Sequence, residues 1–404
     1  MPRRRRHDVV ALLALVVTVA ACQADTGDAG CQLTNQVTLP GTPLTLLQSA
    51  RLDQIGGGYF LLGSDGSNVR WAKVSTDYGG MLTGEEAYAL PPEATVVYFA
   101  MAGVAAPADT VLIGYLGTDA EGNGTLQVIP VPADGSAPTS AATTVQTFPG
   151  GVPPASSVTM SSSRAGMNAG LAWIDNASRQ VLFTNVNGAG MATGAPISTT
   201  STAGAPFSCL RFSPGKDDFT VVYHATTTNT PGAYPGWVIA EANEGGSVDS
   251  AVTQLGFSSA TSLDGCVQVA PVDGGYALTW QDNEGDWLAT YVAQSNLVST
   301  PTLFASASSS GGSYLQPPMV GLAPFGTDYG VLVSQARDVE LWRVNGTGTR
   351  QPGALVFPSI NGTFGDVSAL PIANALRVTY ADYTSAPGVS PVMGSRVLTD
   401  AVCY

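Results

Sequence analysis

QVAPVDGGYALTWQD, residues 268–282, joins a short apolar run, a proline, a few turn residues and an alternating run that ends in Trp280-Gln281-Asp282. The same order recurs in RFSPGKDDFTVVYHA (211–225), GLAPFGTDYGVLVSQA (321–336) and SALPIANALRVTYAD (368–382). Pro214, Pro271, Pro324 and Pro371 hold equivalent places, and Tyr223, Trp280 and Tyr380 each follow their proline by nine residues. An aromatic-x-Asp ending also closes Trp173-Ile174-Asp175 and Tyr380-Ala381-Asp382. Period-two alternation is the pattern of a strand, and Asp is suited to open the turn that follows.

Working outward, a third strand is expected after each turn: VRWAKVS, TLQVIPVP, VLFTNVN, GWVIAEAN, DWLATYVA, VELWRVN and GSRVLTDA. A weaker fourth follows in EEAYALP, TTVQTFP, APISTTS, VTQLGF, TPTLFAS and GALVFPS. First strands then begin near residues 47, 96, 156, 209, 266, 317 and 364. Units of four strands at a period of about fifty residues are the signature of a β-propeller. The fold expected is all-β, a seven-bladed β-propeller spanning residues 36–404 as one domain. The last unit lacks a fourth strand, and QVTLPG (36–41), which reads like VQTFPG (145–150), is available to complete it. A pair of β-sandwiches is the competing fold, since its strands also alternate between Gly and Pro turns.

Composition narrows the function. Of 404 residues only 11% are charged, 44% are hydrophobic, and 30 acidic residues face 16 basic ones. A net charge of −14 excludes a nucleic-acid binder, which needs clustered Lys and Arg against phosphate.

The chain opens MPRRRRHDVVALLALVVTVAAC: four arginines, then an apolar run from Val9 to Ala21. That run is short for a membrane span of about 20 residues and suits the hydrophobic core of a signal peptide. Its end, Val19-Ala20-Ala21-Cys22, resembles the lipobox of bacterial lipoproteins. The resemblance implies that residues 1–21 are removed and that Cys22 carries a diacylglyceryl group. With Gln23 rather than Asp after it, the implied destination is the cell outer membrane, with residues 22–35 as a tether. As a whole, the chain resembles propeller lipoproteins of Gram-negative envelopes, at the level of fold only.

Four cysteines remain, an even number that suggests two disulfides in an exported chain. The propeller reading pairs Cys31, before the closing strand, with Cys403, after the last strand. It pairs Cys209 with Cys266, which open the first strands of adjacent units; free thiols are the alternative for that pair.

Chemistry is sparse. Beyond the signal peptide the sole histidine is His224, and no G-x-S-x-G elbow, phosphate loop or dinucleotide fingerprint occurs. Lys73 and Lys216 are the only lysines. The reading therefore assigns no catalytic residue, metal or cofactor. Asp119, Glu121 and Asn123, and again Asp282, Glu284 and Asp286, place oxygens at alternate positions, as Ca²⁺ requires; turn formation explains both sets equally well. Arg164 and Arg211 lie on or beside first strands, where they would meet an anionic ligand in the channel or pair with a carboxylate. The tryptophans at repeated positions are expected in the core. The expected role is a non-enzymatic propeller that binds a protein or glycan at the envelope, on the face bearing the acidic tips, with Asp282, Glu284 and Asp286 taking part. The alternative is a glycosidase or lyase using carboxylates at the channel mouth.

Overall fold

A computed structural model describes the strands named below and the connections at 105, 108–109, 119–123, 133–138, 140–142, 149–152, 163, 166–168, 187–196, 267, 299–301, 326–327 and 346–352. Residues 1–30 and the remaining connections lie outside the described residues.

The first strand is β1 (Cys31–Leu44). Sheet 1 follows with β2 (Arg51–Ile55), β3 (Gly58–Ser64), β4 (Asn68–Val74) and β5 (Leu82–Ala89). Sheet 2 holds β6 (Thr95–Val104), β7 (Thr110–Thr118), β8 (Gly124–Pro132) and β9 (Thr143–Phe148). Sheet 3 holds β10 (Val158–Ser162), β11 (Ala169–Asp175), β12 (Gln180–Val186) and β13 (Ile197–Ser198). Sheet 4 holds β14 (Ala205–Pro214), β15 (Asp218–Thr226), β16 (Gly236–Asn243) and β17 (Thr253–Gly256). Sheet 5 holds β18 (Gln268–Val272), β19 (Gly275–Gln281) and β20 (Gly285–Val292), and its outer position is split between β21 (Leu297–Val298) and β22 (Thr302–Ser306). Sheet 6 holds β23 (Met319–Phe325), β24 (Asp328–Ser334), β25 (Asp338–Asn345) and β26 (Leu355–Pro358). Sheet 7 holds β27 (Phe364–Ile372), β28 (Ala375–Tyr383) and β29 (Gly394–Cys403), with β1 as its fourth strand.

Every pairing is antiparallel and, β1 and β22 apart, follows chain order within its sheet. First strands lie side by side: β2 against β6 and β27, β10 against β6 and β14, β18 against β14 and β23, and β23 against β27. The four prolines of the sequence repeat sit on these first strands, opposite Phe219, Tyr276, Tyr329 and Leu376. A first strand has a partner on one side only, so a proline there need not interrupt the ladder.

β1 is longer than the segment 36–41 that alternation suggests. Cys31 to Thr34 pair with Cys403 to Asp400, and Val37 to Leu39 with Leu398 to Arg396. Residues 31–35 of the expected tether are thus strand, drawn in because β29 extends to Cys403 and offers its edge to them.

Second strands are buried along nearly their whole length, as in β7, β11 and β19, and do not alternate between core and solvent. The reason is that both faces of each sheet meet a neighbour. Val111, Ile113 and Tyr115 on β7 pack with Phe60, Val69 and Trp71 of sheet 1. Leu112 and Leu116 point the other way, into a cluster with Val158, Met160, Leu171 and Trp173 of sheet 3. Each such aliphatic burial contributes about 1.5–3 kcal/mol. Gly114 leaves room for Met160, whose Sδ would lie 2.7 Å from an added Cβ. Further clusters join sheets 5 and 6 and sheets 6 and 7, and Phe183 meets Phe219 between sheets 3 and 4 at 5.5 Å.

Polar groups reach between sheets too. Trp71 Nε1 donates to Gly135 O at 3.1 Å and Lys73 Nζ to Ala133 O at 3.0 Å, which ties sheet 1 to the turn between β8 and β9. Trp71, Trp173, Trp280 and Trp342 are buried, as repeated aromatic positions suggest, and Trp287 is half-buried.

Candidate functional site

The hairpin between β7 and β8 carries the first acidic tip. Asp119 Oδ1 accepts the amides of Glu121 and Asn123 at 3.1 and 2.8 Å, and its Oδ2 accepts Asn123 Nδ2 at 3.3 Å. Gly122 closes the loop at φ +82°, its amide donating to Asp119 O at 3.1 Å. The carboxylate is consumed by its own loop, as in an Asx-turn. A Cβ on Gly124 would come within 2.6 Å of Gly151 O, so this hairpin packs on the connection that leaves for sheet 3. Second–third hairpins and sheet-to-sheet connections therefore share one face.

The opposite face carries the first–second and third–fourth turns. Ala105 N donates to Gly166 O at 2.7 Å, joining the first–second turns of sheets 2 and 3. Asn187 and Asn345 fold the third–fourth turns of sheets 3 and 6 in one way. Each Oδ1 accepts the amides two and four residues on, Ala189 and Met191 at 3.0 and 3.1 Å, Thr347 and Thr349 at 3.1 and 2.8 Å. Gly190 and Gly348 complete these turns at φ +77° and +79° and press on the preceding sheet, at Val128 and Pro130 and at Thr302. On the same face of sheet 2, the Ser136 hydroxyl and amide beside Asp134 hold its carboxyl below the usual range.

The second acidic tip behaves differently. Asp282 and Glu284 lie outside the described residues, but Asp286 is 1% exposed on β20. It stands opposite Gln281, whose Nε2 donates to Asp286 Oδ1 at 3.0 Å. On the other face of the same ladder Trp280 stacks on Trp287, 6.4 Å between centroids. β20 begins at Gly285, so Asp286 belongs to the sheet, where its carboxylate is a buried acceptor.

Of the other expected residues, Cys31 and Cys403 stand directly opposite on β1 and β29. Cys209 and Arg211 are on β14, where the ladder with β15 shifts register between Ser208 and Arg211. Cys22, Arg164 and Cys266 lie outside the described residues. Sequence reasoning missed Arg377, which is fully buried on β28 between register partners Leu370 and Asp400. The signal was present: an arginine inside an apolar alternation, and an aspartate at the matching place in the next strand. Among the described residues no group of three or more His, Cys, Asp or Glu is placed to hold a metal ion.

No family model matches the chain, and no curated protein matches it in sequence. Solved structures do resemble it. The polysaccharide lyase Uly1 superposes with a TM-score of 0.56 at 10% identity, covering 91% of this chain and 92% of that one. BBS1N, solved in complex with ARL6DN, gives 0.51 at 9% identity, covering 92% and 97%. The likeness is one of fold. It places the chain among all-β proteins of propeller type built from four-stranded antiparallel sheets.

Proposed function

We propose that the sheets are the blades of one closed seven-bladed propeller, held at the outer membrane by a lipid on Cys22, which binds an envelope protein or glycan without transforming it. Three features support the architecture: the side-by-side first strands, the pairing of β1 with β29, and the fold-level likeness. In this reading Cys31 and Cys403 form a disulfide. Directly opposite residues of an antiparallel pair have Cα atoms about 4.5–5.5 Å apart, inside the range a disulfide spans. A second bridge joins Cys209 to Cys266.

The observation that carries binding over catalysis is the engagement of the acidic tips. Asp119 is held by its own loop and Asp286 by Gln281, so these two carboxylates perform structural work rather than standing as an acid–base pair. Photo-crosslinking in intact cells, followed by titration of the captured partner onto purified protein, tests the reading. Saturable binding without change in the partner supports it. A second reading, cleavage of a polysaccharide, is favoured by the superposition on Uly1. Release of new chain ends from envelope polysaccharides would establish it and overturn the first.

A further inference from the structure

We infer that the face bearing the first–second and third–fourth turns lies against the membrane lipid, leaving the face of second–third hairpins and sheet-to-sheet connections turned outward. The inference rests on the proposed lipid at Cys22 and the closed ring, and adds the orientation that they leave open.

It starts from where the N-terminal strand enters. Cys31 pairs with Cys403 and Gln32 with Val402, while Val402 also pairs with Ala375, the first residue of β28. Ala375 in turn faces Ile372, the last residue of β27. The beginning of β1 is therefore at the end of sheet 7 where the first–second connection lies. Its other end, Leu44, is opposite Gly394, beside the second–third connection. Between Cys22 and Cys31 stand eight residues, 23–30, so the lipidated residue can lie at most about 30 Å from the strand. A chain that short, leaving from one rim of the ring, tethers that rim to the bilayer.

The second observation is the placement of exposed apolar side chains. Met167 and Met191 are the most exposed large hydrophobic residues among those described, at 53% and 50%. Met167 belongs to the first–second turn of sheet 3 and Met191 to its third–fourth turn, both on the same face as the start of β1. Leu303 and Val356, at 37%, lie instead on the outer strands β22 and β26. Sheet 3 is three neighbours from sheet 7 in one direction and four in the other, so the anchor and the two methionines bracket the face. The two acyl chains of a diacylglyceryl group hold the protein stably, and a second apolar contact fixes which face of the ring meets the bilayer. Methionine, unbranched and polarizable, suits an irregular lipid surface.

The test uses the full-length lipidated protein in vesicles of phosphatidylethanolamine and phosphatidylglycerol. A photoreactive benzoylphenylalanine replaces Met167, Met191 or Glu121 in turn; Glu121 is exposed on the opposite face. Irradiation should yield lipid adducts at Met167 and Met191 several-fold above Glu121, read by mass spectrometry. Equal yields, or more at Glu121, overturn the orientation. Flotation of Cys22→Ser with the same vesicles separates the two readings. Loss of flotation supports the anchor. Continued flotation overturns the anchor, while the adduct pattern still decides which face meets lipid.

Discussion

The hairpins β7–β8 and β19–β20 occupy the same place in sheets 2 and 5, and each offers acidic residues at alternate positions. In the first, Asp119 turns inward on its own loop and gathers three donors. In the second, Asp286 is drawn into the sheet and meets Gln281 across the ladder. The difference comes from where each aspartate stands: Asp119 precedes its glycine by three residues, whereas Asp286 directly follows its own. Gly122 lies within the first loop and lets it close at positive φ, whereas Gly285 opens β20 itself, at φ +145°. The place of an aspartate relative to its glycine thus decides whether it shapes a turn or sits in the sheet. Alternating acids are not in themselves a binding site.

The comparison breaks most sharply at Gly285. A Cβ there would overlap the Ala305 carbonyl of β22, and the backbone conformation disfavours any side chain. Gly285→Ala is expected to destabilise by about 3 kcal/mol or more, seen as a lower midpoint in urea. Next comes Asp286→Ala, which leaves the Gln281 amide buried without its acceptor, for a loss of about 2–3 kcal/mol in the same measurement. Asp119→Ala should lose only about 1–2 kcal/mol, because water replaces part of what an exposed loop gives up. If Asp286→Ala proves as mild as Asp119→Ala, the distinction between the two hairpins fails.

The smallest effect sharpens sheet 2. Tyr115 donates its hydroxyl to Gln127 Oε1 at 2.8 Å, and burial, then Tyr88, pushes the phenol well above its ordinary range. The folded state favours the protonated phenol, so this contribution is complete below the unfolded pKa of about 10 and is lost as pH rises above it. Alkaline titration followed by ultraviolet absorbance should find Tyr115 among the tyrosines that ionise only with unfolding. Tyr115→Phe should remove one tyrosine from that step and lower stability at neutral pH by about 1 kcal/mol.

Strand positions were legible because Pro271 and its counterparts recur beside alternating runs, and the proline register with Tyr276, Tyr329 and Leu376 explains why the repeat aligns. The unpaired last unit likewise pointed to β1. The third–fourth turns were not read, although VNGAGM (186–191) and VNGTGT (344–349) spell the same asparagine-and-glycine turn twice. Those residues look like the tail of a strand until the hydrogen bonds of Asn187 and Asn345 are seen. Asp286 was placed at the head of the strand DWLATYVA, but its burial was not legible, because Gln281 meets it only once β19 and β20 pair. Arg377 was passed over although the sequence marks it, an arginine inside an apolar alternation with Asp400 at the matching place in the next strand.

The pairing of β1 with β29 also has a meaning in time. The first strand to be synthesised has its partner in the last, so it must wait while the chain between them is made, on the order of 20–70 s at ordinary rates of elongation. Until then β29 has no neighbour on one side, an open edge able to recruit strands from other chains. In an unfolded chain, bringing the ends together would close a loop of roughly 370 residues at an entropic cost of about 5 kcal/mol, which the packing of neighbouring sheets lowers before β1 docks. Maturation of this protein therefore finishes at its beginning, and the interval before β1 docks is when it is most exposed to aggregation.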